Sequence, residues 1–239
     1  MNWTLPSLIK LAIKEQVRNF QDYRPISRSK IERFKPHMKN REILLLEELL
    51  RNLQPGKCLE WGSGYSTLYF PKFLSPDSEW LAIEHYPEWA EKVNGLNKNP
   101  RVKTVLVPPD KFPWTDDNED GSYSDFKHYV DYPKDEAPFD FILVDGRLRI
   151  ACLERALEWI SHKGVVVLHD SNREYYHSAL VHFPNQVFFH YEGRPDKGLW
   201  FGCKGISIDE YIHVSKHKTL WNVHNSRRRK IIKKSSRQD

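Results

Sequence analysis

From residue 57 onward, short unbroken apolar runs alternate with longer segments in which apolar residues recur every three or four positions. KCLEW (57–61), EWLAIEH (79–85), RVKTVLVPP (101–109), FDFILVDG (139–146) and GVVVLHD (164–170) predict five strands. Because these runs show no alternating polar face, both sides of each strand should be covered, which is the mark of a parallel sheet with helices on both faces. STLYFPKFL, PEWAEKVNGL and LRIACLERALEWI supply the intervening helices, so the class is α/β. Pro71 falls five residues after Ser66 and removes a backbone N–H, which should shorten or kink the first of them. Before the alternation, REILLLEELLRNL (41–53) predicts a helix stopped by Gln54-Pro55-Gly56. After it, VFFHYEGR and GLWFGCKG flank Pro195-Asp196-Lys197 and predict a closing antiparallel hairpin.

The two ends follow a different pattern. Residues 5–20, LPSLIKLAIKEQVRNF, carry an apolar stripe with Lys10, Lys14 and Arg18 four apart, a helix that either packs on the main domain or lies on a membrane surface. Residues 21–40 read as a connector, and SRRRKIIKKSSRQD at the end as a mobile charge run. These shifts divide the chain into a basic N-terminal region (1–41), a central domain (42–212) and a basic tail (213–239). The net charge of +5 conceals the asymmetry: residues 1–41 hold ten Lys/Arg against three Asp/Glu, residues 213–239 nine against one, and the body eighteen against twenty-eight. Basic ends on an acidic body suit an anionic membrane surface, a nucleic acid or an acidic polymer. No run reaches the roughly 20 apolar residues of a membrane span and no signal-peptide pattern opens the chain, so a cytoplasmic protein, peripheral on a membrane at most, is expected. Cys58, Cys152 and Cys203 are odd in number and far apart, which suggests neither a disulfide framework nor a Cys-rich metal site.

Candidate chemistry begins at Glu60-Trp61-Gly62-Ser63-Gly64, where the first strand ends. Glycines at a strand tip let a ligand approach the main chain. The dinucleotide fingerprint wants a third glycine where Thr67 stands, and a pyrophosphate would be repelled by Glu60, so the expected ligand carries positive charge or hydroxyl donors. The acidic residue, the two spaced glycines and the order of the strands resemble the class I S-adenosylmethionine-dependent methyltransferases over residues 42 to about 203. The resemblance implies a Rossmann-like, mostly parallel seven-stranded sheet and S-adenosyl-L-methionine as cofactor. It further implies cofactor contacts from Glu60, Gly62, Ser63, Gly64 and Ser66, ribose contacts from Glu84, an adenine contact near Asp110 and a further contact from Asp145.

Asp145, His169, Asp170 and Asn172 follow the fourth and fifth strands. Two carboxylates and an amide suit a hard divalent cation such as Mg or Mn, and this is similar to the catechol-type O-methyltransferases; Ser171 stands where their asparagine would be. VDGRLRIACLERAL and VLHDSNREYY also resemble bacterial relatives of the glucuronoxylan 4-O-methyltransferases, which implies methylation of a saccharide or other polyhydroxylated acceptor. Asp145, His169 and Asp170 are then the catalytic candidates. His169 is either a general base, its ordinary pKa of ~6.5 suiting the task, or a support for Asp170; His128 is a weaker base candidate. Arg147 and Arg149 either hold an acidic sugar or face water, and the insert at 116–133, with Tyr123, Phe126, Tyr129 and Tyr132, is either a lid or a plain excursion. An RNA acceptor is the alternative, against which stands VDGR where base-amine methyltransferases commonly carry Asn/Asp-Pro-Pro-aromatic. A non-catalytic domain docked on anionic membrane is a third reading.

Overall fold

A computed structural model of the chain describes residues 34–114 and 120–235, residues 227–235 by their backbone alone. The proposed helix at 5–20 lies outside them. Seven strands form one sheet: β1 (Lys57–Trp61), β2 (Glu79–Glu84), β3 (Val102–Leu106), β4 (Phe139–Val144), β5 (Ile160–His169), β6 (Asn185–Phe189) and β7 (Leu199–Cys203). Their spatial order is β3-β2-β1-β4-β5-β7-β6, parallel through β5, with the antiparallel β6–β7 hairpin closing the edge. The expected class and hairpin are both present. β5 starts at Ile160, earlier than the apolar run suggests, because Phe139 of β4 already pairs there.

Successive residues of each strand feed opposite cores. Phe141 and Leu143 join one cluster, to which α1 (Asn40–Leu53) contributes Leu45, Leu46, Leu49 and Leu50. Ile142 and Val144 join the other, beneath α4 (Tyr123–Asp131) and α5 (Arg149–Trp159). Full burial of each such side chain contributes about 2 kcal/mol. Three further helices, α2 (Tyr65–Tyr69), α3 (Pro87–Leu96) and α6 (His177–Leu180), complete the layers. Pro71 acts as expected: α2 stops at Tyr69 and a 3-10 turn, Phe70–Phe73, takes over.

The described part of the C-terminal charge run, to residue 235, is helical and belongs to α7 (Val214–Ser235). Leu220 and Trp221 of its first half are buried, and Glu48 of α1 clamps its start. Glu48 accepts from the His213 backbone N–H at 2.8 Å, and its two oxygens meet His213 Nδ1 at 2.9 Å and His217 Nε2 at 2.8 Å. Burial alone would raise the Glu48 pKa, but the hydrogen bonds from His217 and His213 outweigh it and hold it at about 2. Stability from this depressed carboxyl is present above its ordinary value of 4.5 and is lost as pH falls toward 2. Glu48→Gln should therefore cost about 1 to 2 kcal/mol at pH 7, a figure reduced for solvent screening. In denaturant unfolding the gap to wild type should narrow as the pH is taken below 4.5.

Candidate active site

The order of strands reverses between β1 and β4, and the loops leaving the carboxyl ends there must part. A cavity of about 580 Å³ opens at that point. Gly62, Ser63 and Glu84 line it from the β1 and β2 side, Asp145, Gly146 and Arg147 from the tip of β4, and Trp114, Asp120, Arg173 and Tyr176 complete the lining.

Gly62 is bare for a reason inside the protein. Its φ is +93°, and a Cβ there would lie 2.6 Å from the Gly146 Cα, so the tips of β1 and β4 touch through main chain. Gly64 is different: its φ of −177° is open to any residue, and a Cβ would meet only ordinary contacts, the nearest at 3.6 Å. Glu60 is fully buried and does not line the cavity. It accepts from Ser66 Oγ at 2.5 Å, Thr67 Oγ1 at 2.7 Å and Trp80 Nε1 at 2.9 Å, while Thr67 Oγ1 accepts the Gly64 N–H. Burial raises its pKa against those three donors to about 7. The contact expected from Glu60 to a ligand is thus corrected: the carboxylate shapes the loop from below, and Ser66 is likewise turned inward to serve it.

Glu84 does face the cavity. One oxygen accepts from the Ser63 N–H (2.9 Å) and hydroxyl (3.0 Å), the other from the N–H groups of His85 (2.9 Å) and Tyr86 (3.0 Å). The carboxylate is therefore rigidly held by backbone, and its side-chain neighbours are the Ser63 hydroxyl and His85 Nδ1, the latter 2.9 Å from Oε1. Asp110 is not brought to the cavity. His128 of α4 takes both its oxygens, through the backbone N–H at 3.0 Å and through Nδ1. That pairing also removes His128 as a base for this cavity. Asp120, which also lines the cavity, accepts from the Leu148 and Arg149 N–H groups at 3.1 and 3.3 Å and so caps the start of α5. Burial pushes its carboxyl up, partly offset by Arg149. In the insert, Phe126 and Tyr129 are core residues and Tyr123 and Tyr132 are exposed, so its rings are divided between packing and surface.

Asp145 and Asp170 meet around His169, which is 4% exposed. His169 Nδ1 lies 2.9 Å from Asp145 Oδ1; its Nε2 lies 3.5 Å from Glu42 Oε2 and 3.7 Å from Asp170 Oδ1. Burial would lower the imidazole pKa, but Asp145 above all, with Glu42 and Asp170, lifts it to about 10. At neutral pH this group is an imidazolium and accepts no proton, which corrects its assignment as general base. The alternative is also amended, since its hydrogen bond goes to Asp145 and not to Asp170. Burial acts to raise the Asp145 carboxyl, but the charges of His169, Arg149 and Lys197 leave it below the usual range. Arg149 is committed as well: it donates to the carbonyls of Gly146 and His169 and pairs with Asp145 at 3.2 Å.

No protein-family model matches the chain, and no curated protein matches it in sequence. Solved structures match in shape. The O-methyltransferase TomG from Streptomyces achromogenes, involved in tomaymycin synthesis and solved with S-adenosylmethionine, is 17% identical, with a TM-score of 0.52 over 80% of this chain and 96% of its own. An O-methyltransferase from Bacillus cereus, solved with S-adenosylhomocysteine, is 16% identical at a TM-score of 0.55 over 77% of this chain and 94% of its own. A methyltransferase from Geobacter sulfurreducens is 15% identical at 0.53, covering 80% and 96%. The fold is the class I methyltransferase fold.

Within the methyltransferase fold, the hard-cation donor set expected of Asp145, Asp170 and Asn172 does not assemble. Asn172 donates to the carbonyls of Tyr191 and Arg194 at 2.7 Å each, and its Oδ1 accepts the Tyr191 N–H at 3.4 Å. It latches a loop and is not turned to the carboxylates. Asp145, His169 and Asp170 do bring one ligating atom each within 4.8 Å of the others, but Arg149, Lys197 and the imidazolium already stand among them as cations. Two residues at this cluster escaped the sequence reading. Glu42 sits in the apolar helix α1, and its one signal was its place three residues after Lys39, whose N–H it accepts at 2.7 Å. Lys197 belongs to the Pro195-Asp196-Lys197 turn, whose sequence signals only the hairpin.

A histidine whose folded pKa is raised gives stability that is whole below its ordinary 6.5 and is lost as pH climbs toward 10. Urea unfolding of the wild type should weaken across that window by at most about 1.4 kcal/mol per pH unit from this group. His169→Gln should flatten the slope, and NMR titration of the imidazole should find its midpoint far above neutrality.

Proposed function

We propose that this chain transfers a methyl group from S-adenosylmethionine to a hydroxyl of a saccharide or another polyhydroxylated acceptor. One observation carries the reading: Glu84, held by three backbone N–H groups, lines one cavity together with Gly62 and Ser63 at the strand-order reversal. A carboxylate so placed suits the two hydroxyls of a ribose, which would displace the Ser63 hydroxyl from it. The solved structures of like fold that hold S-adenosylmethionine or S-adenosylhomocysteine support the same cofactor.

Methyl transfer from a sulfonium is an in-line displacement. The acceptor oxygen forms its bond to the methyl carbon as the C–S electron pair returns to sulfur, and the hydroxyl proton leaves for a base. With His169 charged, Asp145 spent on Arg149 and His169, and Asp120 capping α5, the proton is assigned to Asp170, the third carboxylate of the cluster, which adjoins the cavity through Arg173 and does not line it. Arg147 and Arg173 beside the cavity, with Tyr176, favour a polar acceptor, and an acidic sugar fits their charge.

Calorimetry should detect S-adenosylhomocysteine binding to the wild type. Glu84→Gln should weaken it by about tenfold or more, as for a hydrogen bond to a charged group; unchanged affinity would remove Glu84 from the ribose. Transfer of labelled methyl from S-adenosylmethionine into a panel of neutral and acidic oligosaccharides tests the acceptor. Label found in RNA alone would replace the saccharide.

A further inference from the structure

The loop joining β6 to β7 reaches across to the tip of β5 and is lashed there by main-chain and amide contacts. Ser171 N–H donates to the Gly198 carbonyl at 3.2 Å and Asn172 N–H to the Lys197 carbonyl at 2.7 Å. The Asn172 amide group holds the other side of the loop at Tyr191 and Arg194, each at 2.7 Å. Gly198, at φ +111°, is the residue that fits: a Cβ there would lie 2.2 Å from Asn172 Oδ1. This fastening has one chemical result. It delivers the Lys197 ammonium to 3.6 Å from Asp170 Oδ1, an atom that is buried and accepts no hydrogen bond.

Asp170 itself is held in a conformation few residues adopt, with φ at +55°. His169 Nε2 lies behind it at 3.7 Å and Arg173 beside its other oxygen at 3.9 Å, so the carboxylate is ringed by cationic groups without being spent on any of them. Its ring of fixed charge stands where the resemblance to catechol-type enzymes put a divalent ion, and Asn172, expected as a ligand of that ion, is the latch that brings Lys197 in.

We propose that Lys197 is the resident cation of this site: it takes the place of a divalent metal beside Asp170, steadies the charge of that carboxylate, and makes the site closed to metal. The proposal rests on the methyl-transfer reading for its purpose, though not for its geometry. Lys197 is a positioning residue here. The hydroxyl proton goes to Asp170, and the ammonium keeps its own protons throughout.

The test uses Mn²⁺ on the full chain, followed by its electron paramagnetic resonance and by calorimetry. Wild type should bind no Mn²⁺ below millimolar concentration. Lys197→Met should gain a site at least tenfold tighter, Lys197→Arg should not, and adding Asp170→Asn to Lys197→Met should abolish the gain. A merely structural lysine would not produce a new Mn²⁺ signal when removed. Tight binding of one Mn²⁺ by the wild type, lost in Asp170→Asn, would overturn the proposal whether or not the variants fold. So would Lys197→Met that melts like wild type and gains no site. S-adenosylhomocysteine binding, measured on the same samples, separates the two ideas: its absence in wild type would sink the methyl-transfer reading and leave the Mn²⁺ result to stand or fall by itself.

Discussion

Three carboxylates from three elements converge on one buried imidazole: Glu42 from α1, Asp145 from the tip of β4 and Asp170 from the tip of β5. Ions taken out of water cost several kcal/mol each unless opposite charge meets them, so none of the four is tolerable alone. Protonated His169 meets this demand together with Arg149 and Lys197, and it stands between the two strand tips. α1 is drawn in by the same charge, its first turn facing the imidazole while its leucines pack on the sheet. Removing one partner would leave the others buried and uncompensated, which makes this cluster a register for the whole cavity wall.

A second constraint works on the other side of the wall. Gly62 and Gly146 approach through bare main chain, and a Cβ on Gly146 would strike the Tyr129 hydroxyl at 2.0 Å. The cavity floor is thus set by contact between two strand tips and the insert helix behind them. Glu60 holds the following turn by its hydroxyl groups, so the shape of the Gly62–Thr67 loop depends on a carboxylate no ligand touches. The loop is organised before any cofactor arrives, which spares binding the entropy of ordering it.

Much of this was legible along the chain. The five apolar strands, the stop at Pro55-Gly56, the break at Pro71 and the hairpin all have local causes that a run of residues displays. Glu84 was legible too, since a strand tip in this fold has one place to go. What lay hidden depends on partners far away in sequence. Glu60 and Glu84 look alike as acids ending strands, yet Ser66, Thr67 and Trp80 close over the first. His169 suggested a base because nothing near it in sequence reveals Glu42, 127 residues earlier, and that carboxylate and Asp145 together reverse its role. Asn172 looked like a ligand by type and proximity to Asp170, whereas its amide serves backbone groups of the β6–β7 loop, a use that depends on where that loop folds.

The two strand tips therefore differ in what their carboxylates can do. Asp145 is joined to His169 and Arg149 at 2.9 and 3.2 Å, distances at which its charge is spoken for. Asp170 is surrounded at 3.6 to 3.9 Å, close enough to be steadied by Lys197, His169 and Arg173 and too far for any of them to donate a hydrogen bond to it. A base must be anionic before the reaction and free to take a proton during it, and only the second arrangement meets both conditions.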